Sequence, residues 1–299
     1  MNYLVTDEQL TATADAIREK TGGTDLITWD ESKGFSDAVS GISAGGGGEN
    51  KPSMIIDEVT SGAYIKSVSL NNFERIYSRM FYTDSYSTSY LENVDFSKSE
   101  ELNKIGDNSF YGCTNLALTS LPDTVKNIDQ RAFYKCTNLA LTSLPDDLEI
   151  VSNEAFYDCT NLALTSLPEN CSYYGSSAFS GCANIEISSV SDIMEIIPTS
   201  MFNGCTKITS LDLRNVRRIN TSSFRNTTLS TIILRKSDGI CELANVNAFD
   251  VTPFASGGTG GTAYVPSALI ETYQNATNWS TLYAAGTCNF VAIEGSEYE

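Results

Sequence analysis

The chain contains no histidine in 299 residues, only 7 prolines and 2 tryptophans, and 19 Lys and Arg against 37 Asp and Glu, a net charge of −18. Each shortage excludes something. Without histidine, a Ser or Cys nucleophile lacks its usual base and zinc its commonest nitrogen ligand, and no C-x-x-C, Walker or H-E-x-x-H string stands in. No catalytic residue, metal site or cofactor is therefore expected. The scarcity of clustered positive charge excludes recognition of a phosphate backbone, and so of nucleic acid. The acidic excess reads as solubility and mutual repulsion of copies. No apolar run approaches the ~20 residues of a membrane span, and the start MNYLVTDEQL lacks a basic stretch followed by an apolar core. Neither membrane insertion nor a secretory signal is expected.

What the chain does have is repetition. CTNLALTSLP begins at Cys113, Cys136 and Cys159, identical each time, with looser versions from Cys182 and Cys205. Phe110, Phe133, Phe156, Phe179 and Phe202 keep the same 23-residue step, as do Ile105, Ile128, Val151, Tyr174 and Ile197. A period in the twenties marks a solenoid whose coils each pair one short strand with one tight return. The expected fold is a repeat solenoid of about seven coils, mainly β with short helical returns. Leu116, Leu118 and Leu121 enter its core from the strand side, and Phe110 and Ile105 close the opposite wall. Burying each such side chain contributes roughly 1.5–3 kcal/mol, which offsets the ordering entropy only if coils stack.

Five of the 8 cysteines share the repeat step. They stack at about 4.8 Å, within disulfide reach, yet an odd-numbered ladder cannot pair fully and a buried Cys packs as a small hydrophobe. They read as core thiols, with the state of Cys171, Cys241 and Cys288 left open.

Flanking the array, residues 5–20 place Leu10, Ala14 and Ile17 on one helical face behind Thr6 or Asp7 as a cap, and Gly22 and Gly23 stop the helix. An extended piece over 26–29 precedes a second amphipathic stretch with Phe35, Val39 and Ile42 inward. Four glycines at 45–48 then break the chain. The reading is a small helical N-terminal module over 1–44, a Gly-rich linker over 45–52, the solenoid over 53–262 and a capping strand-helix-strand over 263–299. Strands are expected within 50–60 and 65–70, and Ile76 to Phe81 repeats the later Ile-to-Phe step. The polar, aromatic TDSYSTSY follows before Leu91, Val94 and Phe96 restore the core pattern. Tyr82, Tyr86 and Tyr90 there are either cap residues or an exposed contact face. Near the C-terminus, SALIETYQNATNWSTLY reads as one helix capped by Ser267, with Leu269, Ile270, Tyr273 and Trp279 for packing, and CNFVAIE as a closing strand.

Two outward columns run along the repeats: Thr119, Thr142 and Thr165 between the leucines, and Tyr111, Tyr134 and Tyr157 after each Phe. Aromatic faces commonly stack on sugars, so both columns are either solenoid regularity or a recognition surface for a host-surface glycan or protein.

The anchors I-x-x-x-A-F-x-x-C-x-x-L-x-L-x-x-L-P, with Pro122, Pro145 and Pro168 after the leucines, resemble the BspA-type bacterial leucine-rich repeats over about residues 76–250. That resemblance implies parallel strands and a binding or display scaffold, not an activity. The tail from Tyr264 to Trp279 resembles the ending that seals such arrays. Residues Thr6, Asp7, Leu10, Ala14, Ala16, Ile17, Arg18, Lys20, Gly22, Leu26, Trp29, Gly34, Phe35, Ala38, Val39 and Ile42 resemble a module at the front of phage tail, fibre and baseplate proteins. This second resemblance implies a virion location in a tail or other appendage, after synthesis in the host cytoplasm. Other virion proteins would be met through Leu10, Ile17, Arg18, Trp29, Phe35, Val39 and Ile42, in a homo-oligomer. A bacterial surface adhesin and a purely structural virion protein are the alternatives.

Overall fold

The computed structural model describes residues 26–28, 53–59, 65–83 and 90–299. The helices expected over 5–20 and around 35–42 lie outside the described residues. The extended piece does not: β1 (Leu26–Thr28) pairs antiparallel with β2 (Ser53–Val59), which pairs antiparallel with β3 (Ile65–Asn71). Parallel pairing starts from β3 onto β5 (Asn93–Lys98), where the hairpin hands over to the solenoid.

Eight coils follow, each carrying one Phe. Phe81, Phe110, Phe133, Phe156, Phe179, Phe202, Phe224 and Phe249 form one continuous ring stack, with centroids 5.1–6.1 Å apart. One coil more than expected fits because the last two steps stretch and shrink to 25 and 22 residues while keeping Phe in place. On the facing wall, two-residue strands stack in parallel: β4 (Arg75–Ile76), β6 (Lys104–Ile105), β7 (Asn127–Ile128), β8 (Ile150–Val151) and β9 (Tyr173–Tyr174). In each, one residue faces outward and the next is buried. A second ladder continues the wall with β10 (Ile196–Ile197), β12 (Arg218–Ile219) and β14 (Glu242–Leu243).

The two ladders do not join, and Pro198 explains why. At the matching place in earlier coils, Asp129, Ser152 and Gly175 each donate N–H to the core residue of the previous coil. Proline has no N–H to give to Tyr174. The Phe stack is widest at the same joint, 6.1 Å between Phe179 and Phe202.

The returns are chains of turns rather than helices; only Val246–Phe249 closes as a 3-10 turn. The six from Phe110 to Phe224 each turn through two left-handed residues flanking the Phe, as at Asn108 (φ 53) and Gly112 (φ 74), Arg131 (55) and Lys135 (57), and Glu154 (56) and Asp158 (55). A Cβ on Gly112 would collide with the Thr83 carbonyl oxygen of the coil below. Return amides bond forward to the next coil, Phe110 N–H to Ala132 O at 2.8 Å for example, while the short ladder bonds backward.

The leucine segments depart from expectation. Leu116, Leu118 and Leu121 are buried, but the three identical LALTSLP segments are not strands. A strand needs strict alternation, and here two exposed residues, Thr119 and Ser120, separate Leu118 from Leu121. Alternation returns when the pattern becomes S-L-D-L, and a parallel sheet then forms from β11 (Ser210–Asp212), β13 (Thr231–Ile233), β15 (Gly261–Val265) and β16 (Cys288–Ala292).

The expected C-terminal helix is broken into a 3-10 turn at Ser267–Leu269, α1 (Ile270–Asn275) and α2 (Trp279–Ala284). Ser267 caps nothing with its side chain; its own N–H is held by the Glu294 carboxylate at 2.9 Å. The break at Asn278 (φ 67) follows from what Tyr273 and Trp279 must both reach. Six residues along one helix lie about 240° apart around its axis, on different faces. Broken, the chain brings both to Cys241: Tyr273 Oη accepts the Cys241 N–H at 2.8 Å, and Trp279 Nε1 donates to Cys241 O at 2.7 Å. Asn278 Nδ2 donates to Leu243 O at 2.7 Å. Backbone groups that an open ladder end would leave bare are thereby satisfied.

Candidate functional site

All eight cysteines are buried, and none forms a disulfide. Each thiol of the column donates to a Phe carbonyl of the preceding coil: Cys113 to Phe81 O at 3.0 Å, Cys136 to Phe110 O at 3.0 Å, Cys159 to Phe133 O at 2.9 Å, Cys182 to Phe156 O at 3.0 Å and Cys205 to Phe179 O at 3.2 Å. Burial pushes the Cys136, Cys159 and Cys182 thiols well above the ordinary range, and neighbouring thiols add to it. Burial lifts Cys288 to about 12. Protonated, unreactive sulfur is a structural donor, not a nucleophile. Thr227 and Thr252 take over the position after the cysteines end, each hydroxyl bonding the Phe carbonyl three residues back.

The tyrosines form a second, outer stack. Tyr82, Tyr111, Tyr134 and Tyr157 lie 4.9, 4.7 and 4.8 Å apart, tilted by 25°, 3° and 8°. Tyr82 is 41% exposed, the other three half-buried. The pitch has a chemical consequence that the sequence pattern hides. Rings this close and this parallel cover each other's faces, so the column offers edges and hydroxyls at intervals, not a surface on which sugars stack. Cations border it: Arg79 lies 5.5 Å from the Tyr82 ring centre, and Arg131 and Lys135 lie 5.8 and 5.6 Å from that of Tyr134. Arg131 is also held by both Glu154 oxygens at 2.9 and 3.2 Å. Burial, then Asp158 and Glu154, raise the Tyr157 phenol, and burial raises the Asp158 carboxyl against the pull of Lys135. The Tyr157 phenol is therefore a neutral hydrogen-bonding group. Tyr90 is half-buried beside Leu91, Tyr86 lies outside the described residues, and Tyr82 joins the stack.

Thr119, Thr142 and Thr165 are exposed, each followed by an exposed Ser. They occupy the leucine segment, eight residues beyond each Tyr. The proposed anchoring residues Leu10, Ile17, Arg18, Trp29, Phe35, Val39 and Ile42 lie outside the described residues.

One surface went unread in the sequence: the outward position of the ladder, just before each core residue. There Ile150, Tyr173 and Ile196 follow one another, with Tyr173 50% and Ile196 49% exposed. Three apolar residues at one outward repeat position are a legible signal once the facing of that position is known.

A parallel-stacked coil with a Phe spine, a thiol column and a capped end defines a leucine-rich repeat solenoid. The sequence matches six copies of the BspA type leucine rich repeat region over residues 74–193 and 128–250, and the chain belongs to that family. No curated protein sequence matches it. Among solved structures it is similar to a leucine rich repeat protein of T. pallidum (20% identity, 59% of this chain and 82% of that one, TM-score 0.40). It is also similar to a leucine rich cell surface protein of Faecalibacterium prausnitzii (18%, 60% and 67%, TM-score 0.32) and a leucine-rich repeat protein of Bacteroides ovatus (16%, 77% and 84%, TM-score 0.24).

Proposed function

We propose that this chain is a non-catalytic recognition scaffold, carried on a phage-type appendage by residues 1–44 and presenting its solenoid to a host-surface glycan or protein. The observation that carries the reading is the row of tyrosine edges at a 4.7–4.9 Å pitch, bordered by Arg79, Arg131 and Lys135. Phenol hydroxyls and cationic donors in register suit a repeating hydroxylated or anionic chain. The N-terminal pattern from Thr6 to Ile42 supports the appendage over a bacterial surface adhesin. A single row binds weakly, so attachment relies on many copies. Tetramerised protein should bind host cells, and replacing Tyr111, Tyr134 and Tyr157 together by Ser should weaken that binding with the fold intact by circular dichroism. Unchanged binding removes the tyrosine row from the account. Deleting residues 1–44 separates the two carriers: loss of assembly into particles fits the appendage, whereas retention on a bacterial envelope fits the adhesin.

A further inference from the structure

Along the ladder wall, backbone hydrogen bonds close every step between neighbouring coils but one. The amides of Lys126, Asn127 and Asp129 donate to the preceding coil, as do those of Glu149, Ile150 and Ser152, and those of Ser172, Tyr173 and Gly175. Further on, the Arg217, Arg218 and Asn220 amides do the same. Between the coil of Phe179 and the coil of Phe202, neither a backbone bond nor a strand pair joins this wall among the described residues. Proline accounts for position 198 alone. The Glu195 and Ile196 amides, whose acceptor by the repeat is Ser172 O, make no bond to it either.

The other walls cross the same joint intact. On the return side Ser177 N–H donates to Thr199 O at 2.9 Å, Phe179 N–H to Met201 O at 3.1 Å and Gly181 N–H to Asn203 O at 2.7 Å. On the leucine side Asp212 N–H donates to Ser188 O at 2.9 Å and Val190 N–H to Asp212 O at 3.1 Å. At the corner leading into the ladder, Arg214 reaches back to Asp192 at 3.2 Å and Glu169 at 3.8 Å. The coil that borders the gap also carries Tyr174 where its neighbours have Val151 and Ile197, and Ser191 where the preceding coil has Pro168. Both side chains are buried, and neither hydroxyl finds a hydrogen-bond partner of good geometry. Water relieves the cost of such groups, so this coil gains from an opening that apolar residues at the same places would resist.

We propose that this joint is a hinge. Two stiff arms, one from Phe81 to Phe179 and the other from Phe202 to the cap, swing apart at the ladder wall about the return side, with Arg214 as the latch. The pivot follows from which walls are bonded, because a bonded wall resists separation of its coils and an unbonded one opens at lower cost. Coils touch only their neighbours, so one weak step divides the array into two units. Tyr82, Tyr111, Tyr134 and Tyr157 all ride on the first arm. Their pitch is therefore fixed while their angle to the capped arm changes, whatever the row binds.

The test is the width of a distance distribution in the full chain. Glu74, Lys126, Ser172 and Arg217 belong to one exposed column beside the ladder. Spin labels on Lys126→Cys and Arg217→Cys span four coils, about 19 Å, across the joint, and labels on Glu74→Cys and Ser172→Cys span four within the first arm. The native thiols are buried and stay unlabelled, and the exposed ion pairs lost at Lys126 and Arg217 contribute little to the fold. Double electron–electron resonance should give a distribution at least about twice as wide across the joint as within the arm, since hinge motion is frozen in as a spread of angles. Pro198→Ala, which returns an N–H to the ladder, should narrow that distribution, and Arg214→Ala, which releases the latch, should broaden it. Neither should alter the pair within the arm. Circular dichroism shows whether each variant is folded, and Arg214→Gln replaces Arg214→Ala if the latter is not. A distribution across the joint no wider than that within the arm, or one that neither variant changes, would overturn the proposal.

Discussion

Replacing Cys159 by Ala tests whether the thiol column holds the solenoid together. Cys159 is fully buried, and its sulfur donates to Phe133 O at 2.9 Å. That carbonyl also accepts the Cys136 N–H at 3.0 Å, so losing the thiol does not orphan it. The hydrogen-bond loss therefore sits near the low end of the usual ~0.5–1.5 kcal/mol. Removing the sulfur from a close-packed site adds a transfer loss near that of a methylene, ~0.8 kcal/mol, and a small cavity cost. The expected total is about 1.5–2.5 kcal/mol, read as a lower midpoint in urea with unchanged slope. Five such losses approach the whole ~5–15 kcal/mol of a domain, so the variant with Ala at all five column positions should not fold.

The same column sets the alkaline limit. Folded thiol pKa values are raised by burial, so the unfolded chain ionises first as pH climbs. Their contribution is intact below the free-thiol value near 8.5 and drains above it, by up to about 1.4 kcal/mol per pH unit for each thiol. Stability should fall steeply above pH 9, and Cys159→Ala should flatten that fall by one thiol's share. A loss under ~0.5 kcal/mol at pH 7, or an unchanged alkaline slope, would refute the assignment of a structural role.

Thiol titration should find little reactivity in the folded protein and a large gain on unfolding; ready labelling of Cys136 in the native state would contradict its burial. Pro198→Ala restores an N–H opposite Tyr174 O, worth ~0.5–1.5 kcal/mol, and forfeits the ~0.4–1 kcal/mol by which proline restrains the unfolded chain. Net stability should therefore change little, while hydrogen exchange at Glu195 and Ile196 slows; unchanged exchange would mean that proline is not what parts the ladders. Trp279→Phe leaves Cys241 O without its donor and should cost about 1–3 kcal/mol, with faster exchange confined to the coils from Phe224 onward; uniform loss along the solenoid would argue against a local cap.

What was legible in the sequence was whatever occurs once per coil with the same chemistry. Phe110 and its copies, Cys113 and its copies, and Ile105 and its copies each occupy one buried column, so their period passes directly into the structure. The location of strands was harder, because it depends on alternation within a coil. The leucines of LALTSLP suggested a strand, yet Thr119 and Ser120 side by side forbid one, and the pairing moved to two-residue segments such as Asn127–Ile128 that no pattern search would weigh. The helix break at Asn278 was hidden for a related reason: its cause is the ladder end at Cys241, far away in sequence. The tyrosine column was found, but not that its faces are spent on each other, since spacing gives the pitch and not the tilt of the rings.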